Sequence, residues 1–242
     1  FGYFGGRQSP TRSIVDRIDY SNDTATALER GPLATARYGL TATGNKDFGY
    51  FVGGVPSANS VVERIDYSND IATASPKGNL ASGRESLGAT GNQSFGYFAG
   101  GEPSDSSTVQ RIDYSNDSAT AVVKGPLNTG KIRLAATGNA DFGYVGGGSV
   151  SAAGKSIVDR IDYSNDTATA SPKGNLSVAR YGLSATGNAD FGYFGGGAPG
   201  AVSTVDRIDY SSDTATASAK GPLSFARMYL AATSAGANAN PQ

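Results

Sequence analysis

The sequence predicts an all-β protein built from one repeated unit, and three observations carry that expectation. The pentapeptide Arg-Ile-Asp-Tyr-Ser occurs five times, beginning at Arg17, Arg64, Arg111, Arg160 and Arg207, at intervals of 47, 47, 49 and 47 residues. An aromatic-glycine segment recurs in step from Phe1, Phe48, Phe95, Phe142 and Phe191, and a Gly-(Pro/Asn)-Leu block followed by Arg or Lys and Leu-x-Ala-Thr closes each unit. No window places apolar residues at helical spacing over three turns, and glycine and proline interrupt every longer run. The units fall at about 1–47, 48–94, 95–141, 142–190 and 191–235, one domain over 1–235, and the small polar tail 236–242 is expected to be flexible.

The second unit shows the expected elements in order. Phe48-Gly49-Tyr50-Phe51 is a short aromatic strand ending at the pair Gly53-Gly54. Ser60 to Tyr67 carries β-branched residues and charges alternating with period two, the pattern of a second strand. Ser68-Asn69-Asp70 supplies turn residues that bond their own backbone. Ile71 to Ser75 is weaker and more polar, as an outer edge strand should be. Pro76 to Leu80 is too long for a tight hairpin, so the chain must travel there, and Leu87-Gly88-Ala89-Thr90 is a small, apolar fourth strand. Thr90 to Ser94 then turns into the next unit's first strand.

Four short strands in each of five units of 40–50 residues predict a five-bladed β-propeller with four antiparallel strands per blade. The chain begins on a first-type strand and ends on a fourth-type strand, Arg227 to Thr233. That last strand is therefore expected to complete the first blade and close the ring, removing an open edge.

The unit resembles the kelch repeat. The resemblance lies in the glycine pairs (Gly5-Gly6, Gly53-Gly54, Gly100-Gly101, Gly146-Gly147, Gly195-Gly196), in the following Val-x-x-Ile-Asp strand, and in Pro-Leu-x-x-x-Arg, as at Pro32 to Arg37. The outer-strand tryptophan usual in kelch units is missing; Ala25, Ala72, Ala119, Ala168 and Ala215 fall near its place. The aromatic-glycine and Asp-Tyr-Ser-Asn-Asp wording also resembles repeat proteins of marine viruses and phages, a likeness closer in wording and poorer in functional content. Both resemblances imply a binding or scaffolding role.

Composition narrows the chemistry. The 242 residues hold 20 basic and 21 acidic side chains, net charge −1, with no histidine and no cysteine. Near-neutral charge gives no electrostatic reason to expect nucleic acid or an anionic membrane, and no run of about 18 apolar residues encodes a transmembrane helix. Phe1 opens the chain with no charged-then-apolar leader behind it. Catalysis would have to rest on Asp, Tyr or Lys, and no asymmetric cluster of these stands out, so the expectation is a non-enzyme with no cofactor and no metal. The spacing Asp19-x-Ser21-x-Asp23 resembles the start of a calcium loop, but no later glutamate closes it and a polar turn explains it. Arg17 and Asp19 share a strand face, where they are expected to form a repeated ion pair between blades. Tyr3, Tyr50, Tyr97, Tyr144 and Tyr193 are expected to fill the space between sheets, with sugar stacking as the alternative.

One set of residues looks like a site. Each unit places a cation before its inner strand: Arg37, Arg84, Lys131, Arg180 and Arg227. In a ring they encircle one mouth of the channel, where they would either bind an anion or fasten adjoining blades. The connections after the glycine pairs differ most between units, and Ser149 to Lys155 carries two extra residues, so specificity is expected there. The leading expectation is a binding or assembly scaffold, probed by a protein partner or glycan through those loops, monomeric unless part of a larger assembly, and in a virion or extracellular setting. The alternatives are a lectin-like binder of glycans or anions with up to five sites, and a designed or repeat-amplified ring with no specific ligand.

Overall fold

A computed structural model describes residues 1–22, 24–56 and 58–232. It shows an all-β ring of five blades. Blade II is a four-stranded antiparallel sheet ordered Thr41–Gly44, Phe48–Val52, Val62–Asp66, Ser75–Pro76 from the channel outward. Blade III repeats it with Gly88–Gly91, Phe95–Ala99, Val109–Asp113 and Val122–Lys124. Blade IV uses Ala135–Gly138, Phe142–Gly146, Val158–Asp162 and Ser171–Lys173; blade V uses Ser184–Gly187, Phe191–Gly195, Val205–Asp209 and Ser218–Ala219. The innermost strand of each of these four blades thus belongs to the preceding repeat, as the long third connection requires.

Blade I differs. Its described strands are Gly2–Arg7, Arg12–Ile18 and Leu28–Arg30. Leu230, Ala231 and Ala232 line the channel together with residues 1–6, yet among the described residues no ladder joins them to Gly2–Arg7. The expected closing strand runs on into Thr233, which lies outside the described residues, as does the tail 236–242.

The outer strands are shorter and later than the sequence predicts. Ile71 to Ser75 was expected to be extended, but Ala72 N–H donates to the Asn69 carbonyl and turns the chain there, leaving only Ser75–Pro76 to pair with Glu63 and Arg64. The glycine pairs also shift. The positive-φ pairs are Gly53-Gly54, Gly100-Gly101, Gly147-Gly148 and Gly196-Gly197, so Gly146 and Gly195 are the last residues of their strands. Gly53 needs its φ of +72 because the chain folds back onto the Arg84 carbonyl, which a Cβ would meet at 2.5 Å.

Among the described residues four junctions between blades each have an apolar core. Between blades II and III it contains Val62, Leu80, Leu87, Phe98, Ile112 and Ala121, and equivalent sets fill the I/II, III/IV and IV/V junctions. Burying each such aliphatic side chain contributes about 1.5–3 kcal/mol. Main-chain bonds seal the rim: Gly78 N–H donates to the Asp117 carbonyl at 2.8 Å, and Gly31, Gly125 and Gly174 do the same one junction away.

Candidate functional site

Most charged and aromatic positions of the repeat hold the ring together. Asp117 Oδ2 accepts from the Tyr50 hydroxyl at 2.8 Å and from Arg64 Nη1 at 2.7 Å, and Lys77 lies 3.4 Å from the same carboxylate. Tyr3, Arg17 and Asp70 form the same bridge, as do Tyr97, Arg111 and Asp166, and Tyr144, Arg160 and Asp213. The arginines of blades I to IV therefore do join two blades, but through the last aspartate of the next unit's turn. Asp19, the partner expected for Arg17, instead accepts from the backbone N–H and hydroxyl of Ser21 and caps its own turn. Each arginine also lies over its neighbouring phenylalanine, 4.1 Å for Arg64 on Phe48. The bridging tyrosines stack on the next blade's tyrosine, 4.7 Å between the rings of Tyr50 and Tyr114. Gly96 is required at this approach, because a Cβ would lie 2.7 Å from the Tyr114 hydroxyl. In the second to fifth units the two aspartates of the calcium-like spacing thus serve different bonds.

Burial, with the aspartate hydrogen bond, raises the Tyr50, Tyr97 and Tyr144 phenols and lifts Tyr3 to about 12. Burial also pushes the Asp166 and Asp213 carboxyls up. The tyrosine and lysine hydrogen bonds and the arginine charge outweigh it, so both end below the ordinary aspartate value.

The five cations occupy a second layer. Arg37 is buried; its main chain is bonded to Arg12 of blade I while its guanidinium donates to the carbonyls of Phe51, Gly53 and Val61 of blade II and lies 3.2 Å from Glu63. Lys131 reaches the Val145 carbonyl at 3.0 Å and Asp159 at 3.1 Å, and Arg180 reaches the Phe194 carbonyl and Asp206, both at 2.9 Å. Arg84 donates to the Gly100 carbonyl at 2.9 Å and to the Ser106 hydroxyl, since Gln110 replaces the acid. These four side chains are buried and turned into the next blade. None of the five lines the channel. Arg227 is exposed, with Nε 3.4 Å from the Phe225 carbonyl. Burial presses the Lys131 ammonium down and the Asp159 carboxyl up, each against the pull of the other, so this pair is stable only as a pair.

The channel itself has a volume of about 930 Å³ and is lined largely by small and neutral residues, among them Thr41, Ala89, Ala136 and Ser184. Its loop-bearing mouth is different. The residue after each cation is Tyr38, Glu85, Ile132, Tyr181 or Met228, and the next is Gly39, Ser86, Arg133, Gly182 or Tyr229. The N–H groups of Ser86, Arg133, Gly182 and Tyr229 each donate to the carbonyl of the same position one unit earlier, at 2.7–3.1 Å, so the backbone forms a hydrogen-bonded arc around the opening. The backbone of the arc repeats while its side chains vary, Tyr-Gly alone recurring at Tyr38-Gly39 and Tyr181-Gly182. Antiparallel bridges Tyr38↔Val55, Glu85↔Glu102, Ile132↔Ser149 and Tyr181↔Ala198 tie the arc to the variable loops. The two extra residues of the fourth unit form the hairpin Ser149–Val150 and Ala153–Gly154 on this face.

Within the arc, Arg133 Nη2 lies 3.3 Å from Glu102 Oε1, and its guanidinium is 6.0 Å from the Tyr181 ring centre. Burial raises the Glu85 carboxyl, Glu102 adds to the rise, and Arg133 opposes it. Sequence reading passed over these residues because it looked for positions that repeat. The signal available was the reverse, two adjacent positions that hold four different pairs in five units between an invariant cation position and an invariant leucine.

No protein-family model matches the chain, and no curated protein matches it.

Proposed function

We propose that this protein is a non-enzymatic binding or assembly module that engages its partner through the loop-bearing mouth of the ring. The single observation that carries the reading is the contrast at that mouth: a repeated hydrogen-bonded backbone presents Tyr38, Glu85, Ile132, Tyr181 and Met228, four different residue types from five units. Rigid frames with divergent side chains and loops are where specificity is placed. The repeated acids and bases support the non-enzymatic reading from the other side, since they are engaged in bridges between blades. Wording similar to kelch units and to marine viral repeat proteins supports a structural module of a virion or extracellular assembly.

A lectin-like reading has one observation in its favour. A groove of about 420 Å³ between blades IV and V combines the Phe142 and Phe191 rings with Asn139, Asp190, Asp209 and Ser211. Similar residues recur at other junctions. Calorimetric titration with a panel of glycans, peptides and small anions separates the two readings by stoichiometry. The mouth predicts one site per chain and the junctions up to five.

A further inference from the structure

We propose that the junction between blades V and I is a latch. Its two walls carry complementary halves of the interface that seals the other four junctions, they stand apart in this structure, and they close reversibly while the rest of the ring stays folded. The inference concerns the ring itself and does not rest on the mouth as a binding face.

The seam is open at every level. In the apolar layer the Phe51 and Phe194 rings seat on Gly5 and Gly146 of the preceding blade, where a Cβ would lie 2.8 and 2.7 Å from them. Their counterpart Phe4 is 37% exposed, and among the described residues Gly195 has only Val205 and Leu223 of its own blade near it. At the outer rim Gly31, Gly78, Gly125 and Gly174 approach the next unit's alanine carbonyl so closely that a Cβ would overlap it. Gly221 in the same position meets nothing within 4 Å among the described residues. Beside these glycines the Ala74, Ala121, Ala170 and Ala217 N–H groups donate across their junctions at 2.8–2.9 Å, but Ala27 N–H does not reach the Pro222 carbonyl. At the mouth the arc runs through Ser86, Arg133, Gly182 and Tyr229, and the bond that would complete it, from Gly39 N–H to the Tyr229 carbonyl, is not formed. Arg227 is exposed and Asp16 half-buried, whereas Arg37–Glu63, Lys131–Asp159 and Arg180–Asp206 are buried pairs.

Both halves are nevertheless intact in sequence. Gly221-Pro222-Leu223 repeats Gly31-Pro32-Leu33, and Phe4, Ile18 and Ala27 repeat Phe51, Ile65 and Ala74, which are buried at a sealed junction. What differs is the fastening. In blades II to V a ladder ties the inner strand to the blade it completes, and among the described residues none ties Ala231 and Ala232 to Gly2–Arg7. A junction of matched walls without that ladder has the smallest free-energy gap between engaged and separated forms, so it opens before any other. The channel of about 930 Å³ extends into the seam, since Phe1, Phe4 and Asp16 line it together with Ala89 and Ser184. The open ring therefore has a lateral entrance to its channel that the closed ring lacks.

Hydrogen exchange of the full chain, read residue by residue by NMR, tests the latch. An amide bonded only in the closed state exchanges in proportion to the open fraction. Ala27 and Gly39 are the reporters; Ala121, Ala170, Ser86 and Arg133, bonded across sealed junctions, are the controls. The reporters should exchange more slowly than unfolded-chain amides yet about tenfold or more faster than the controls. Phe4→Ala should speed both reporters further and leave Ala121 and Ala170 unchanged. Arg227→Gln, at a side chain exposed in this structure, is the second variant, with the same expectation. Reporters as fast as unfolded-chain amides overturn the proposal, because the seam then never closes. Reporters as slow as the controls overturn it as well, because the seam is then a permanent junction. Reporters unmoved in both variants would show that their protection does not come from these walls, and the latch falls.

Discussion

Asp117 of blade III accepts a 2.8 Å hydrogen bond from Tyr50 of blade II while the same oxygen pairs with Arg64. One carboxylate thus closes the polar side of a junction whose apolar side is Val62, Leu80 and Ile112. Replacing it leaves a buried phenol and a guanidinium with a weaker partner. Asp117→Asn should cost about 1–3 kcal/mol in urea unfolding. Asp113→Asn, which only alters an exposed turn cap, should cost no more than about 1 kcal/mol. Equal effects would remove the Tyr-Asp-Arg bridge from the account.

The buried pair Lys131–Asp159 makes a sharper prediction. Lys131→Met alone strands a carboxylate and should cost about 3–5 kcal/mol, whereas Lys131→Met with Asp159→Leu should recover much of that loss. A double variant no better than the single one would show that the bonds from Lys131 to the Val145 and Ile157 carbonyls dominate instead.

At high pH the phenols report the packing. Tyr3 and Tyr210 are pushed up to about 12, and Tyr50, Tyr67, Tyr97, Tyr114, Tyr144 and Tyr163 are also raised, in each case chiefly by burial. A phenol raised in the folded state contributes stability that is complete below its unfolded value of about 10 and is lost as pH rises above it. Absorbance at 295 nm should therefore show two groups of tyrosines, the later one ionising together with alkaline unfolding. One smooth transition near pH 10 would contradict the buried stacks.

At low pH the sign reverses. Hydrogen bonds from Ser115 and Ser164 hold Asp113 and Asp162 below the ordinary aspartate value, and Asp166 and Asp213 are also lowered. Their contribution is present above the unfolded value of about 3.9 and is lost as pH falls through the folded ones. Asp159 and Glu85, both raised chiefly by burial, work the other way but are outnumbered. The urea midpoint should hold down to about pH 4 and fall below it; a fall beginning near pH 6 would point to other groups.

The repeat made the architecture readable, and it also set the limit of what could be read. Blade count, strand type and the buried roles of Tyr50 and Arg37 follow from positions that recur in step. The ion-pair partner of Arg17 did not, because Asp66 and Asp70 of the next unit's turn look alike in sequence and only the stacking of blades decides which of them faces a neighbour. The outer strands were misplaced for a similar reason: Ile71 to Ser75 has strand-like residues, yet the turn at Asn69 claims its first half. Glu85 lies in the second repeat and Glu102 and Arg133 in the third, at positions whose residues do not recur, so no spacing links them, and only the arc of backbone bonds brings them to one mouth.

Closure of the ring can be tested at one pair. Four inner cations fasten onto the blade that follows them; by repeat position the counterpart of Arg227 is Asp16 of blade I, as Glu63 is that of Arg37. Arg227→Asp should destabilise the fold, and adding Asp16→Arg should restore part of the loss in a double-variant cycle. Strict additivity would separate the chain's last inner segment from blade I.

The measurement that bears most directly on the binding-face account replaces mouth residues by those a sister unit already carries. Tyr38→Ile, Glu85→Ile and Tyr229→Gly borrow Ile132 and Gly182, so the ring should retain its stability to within about 1 kcal/mol. Calorimetry of this triple variant, against whichever glycan, peptide or amine the parent retains, should show that binding is lost while cooperative unfolding is kept. Undiminished binding by a stably folded variant would contradict the account and move the site to the blade junctions.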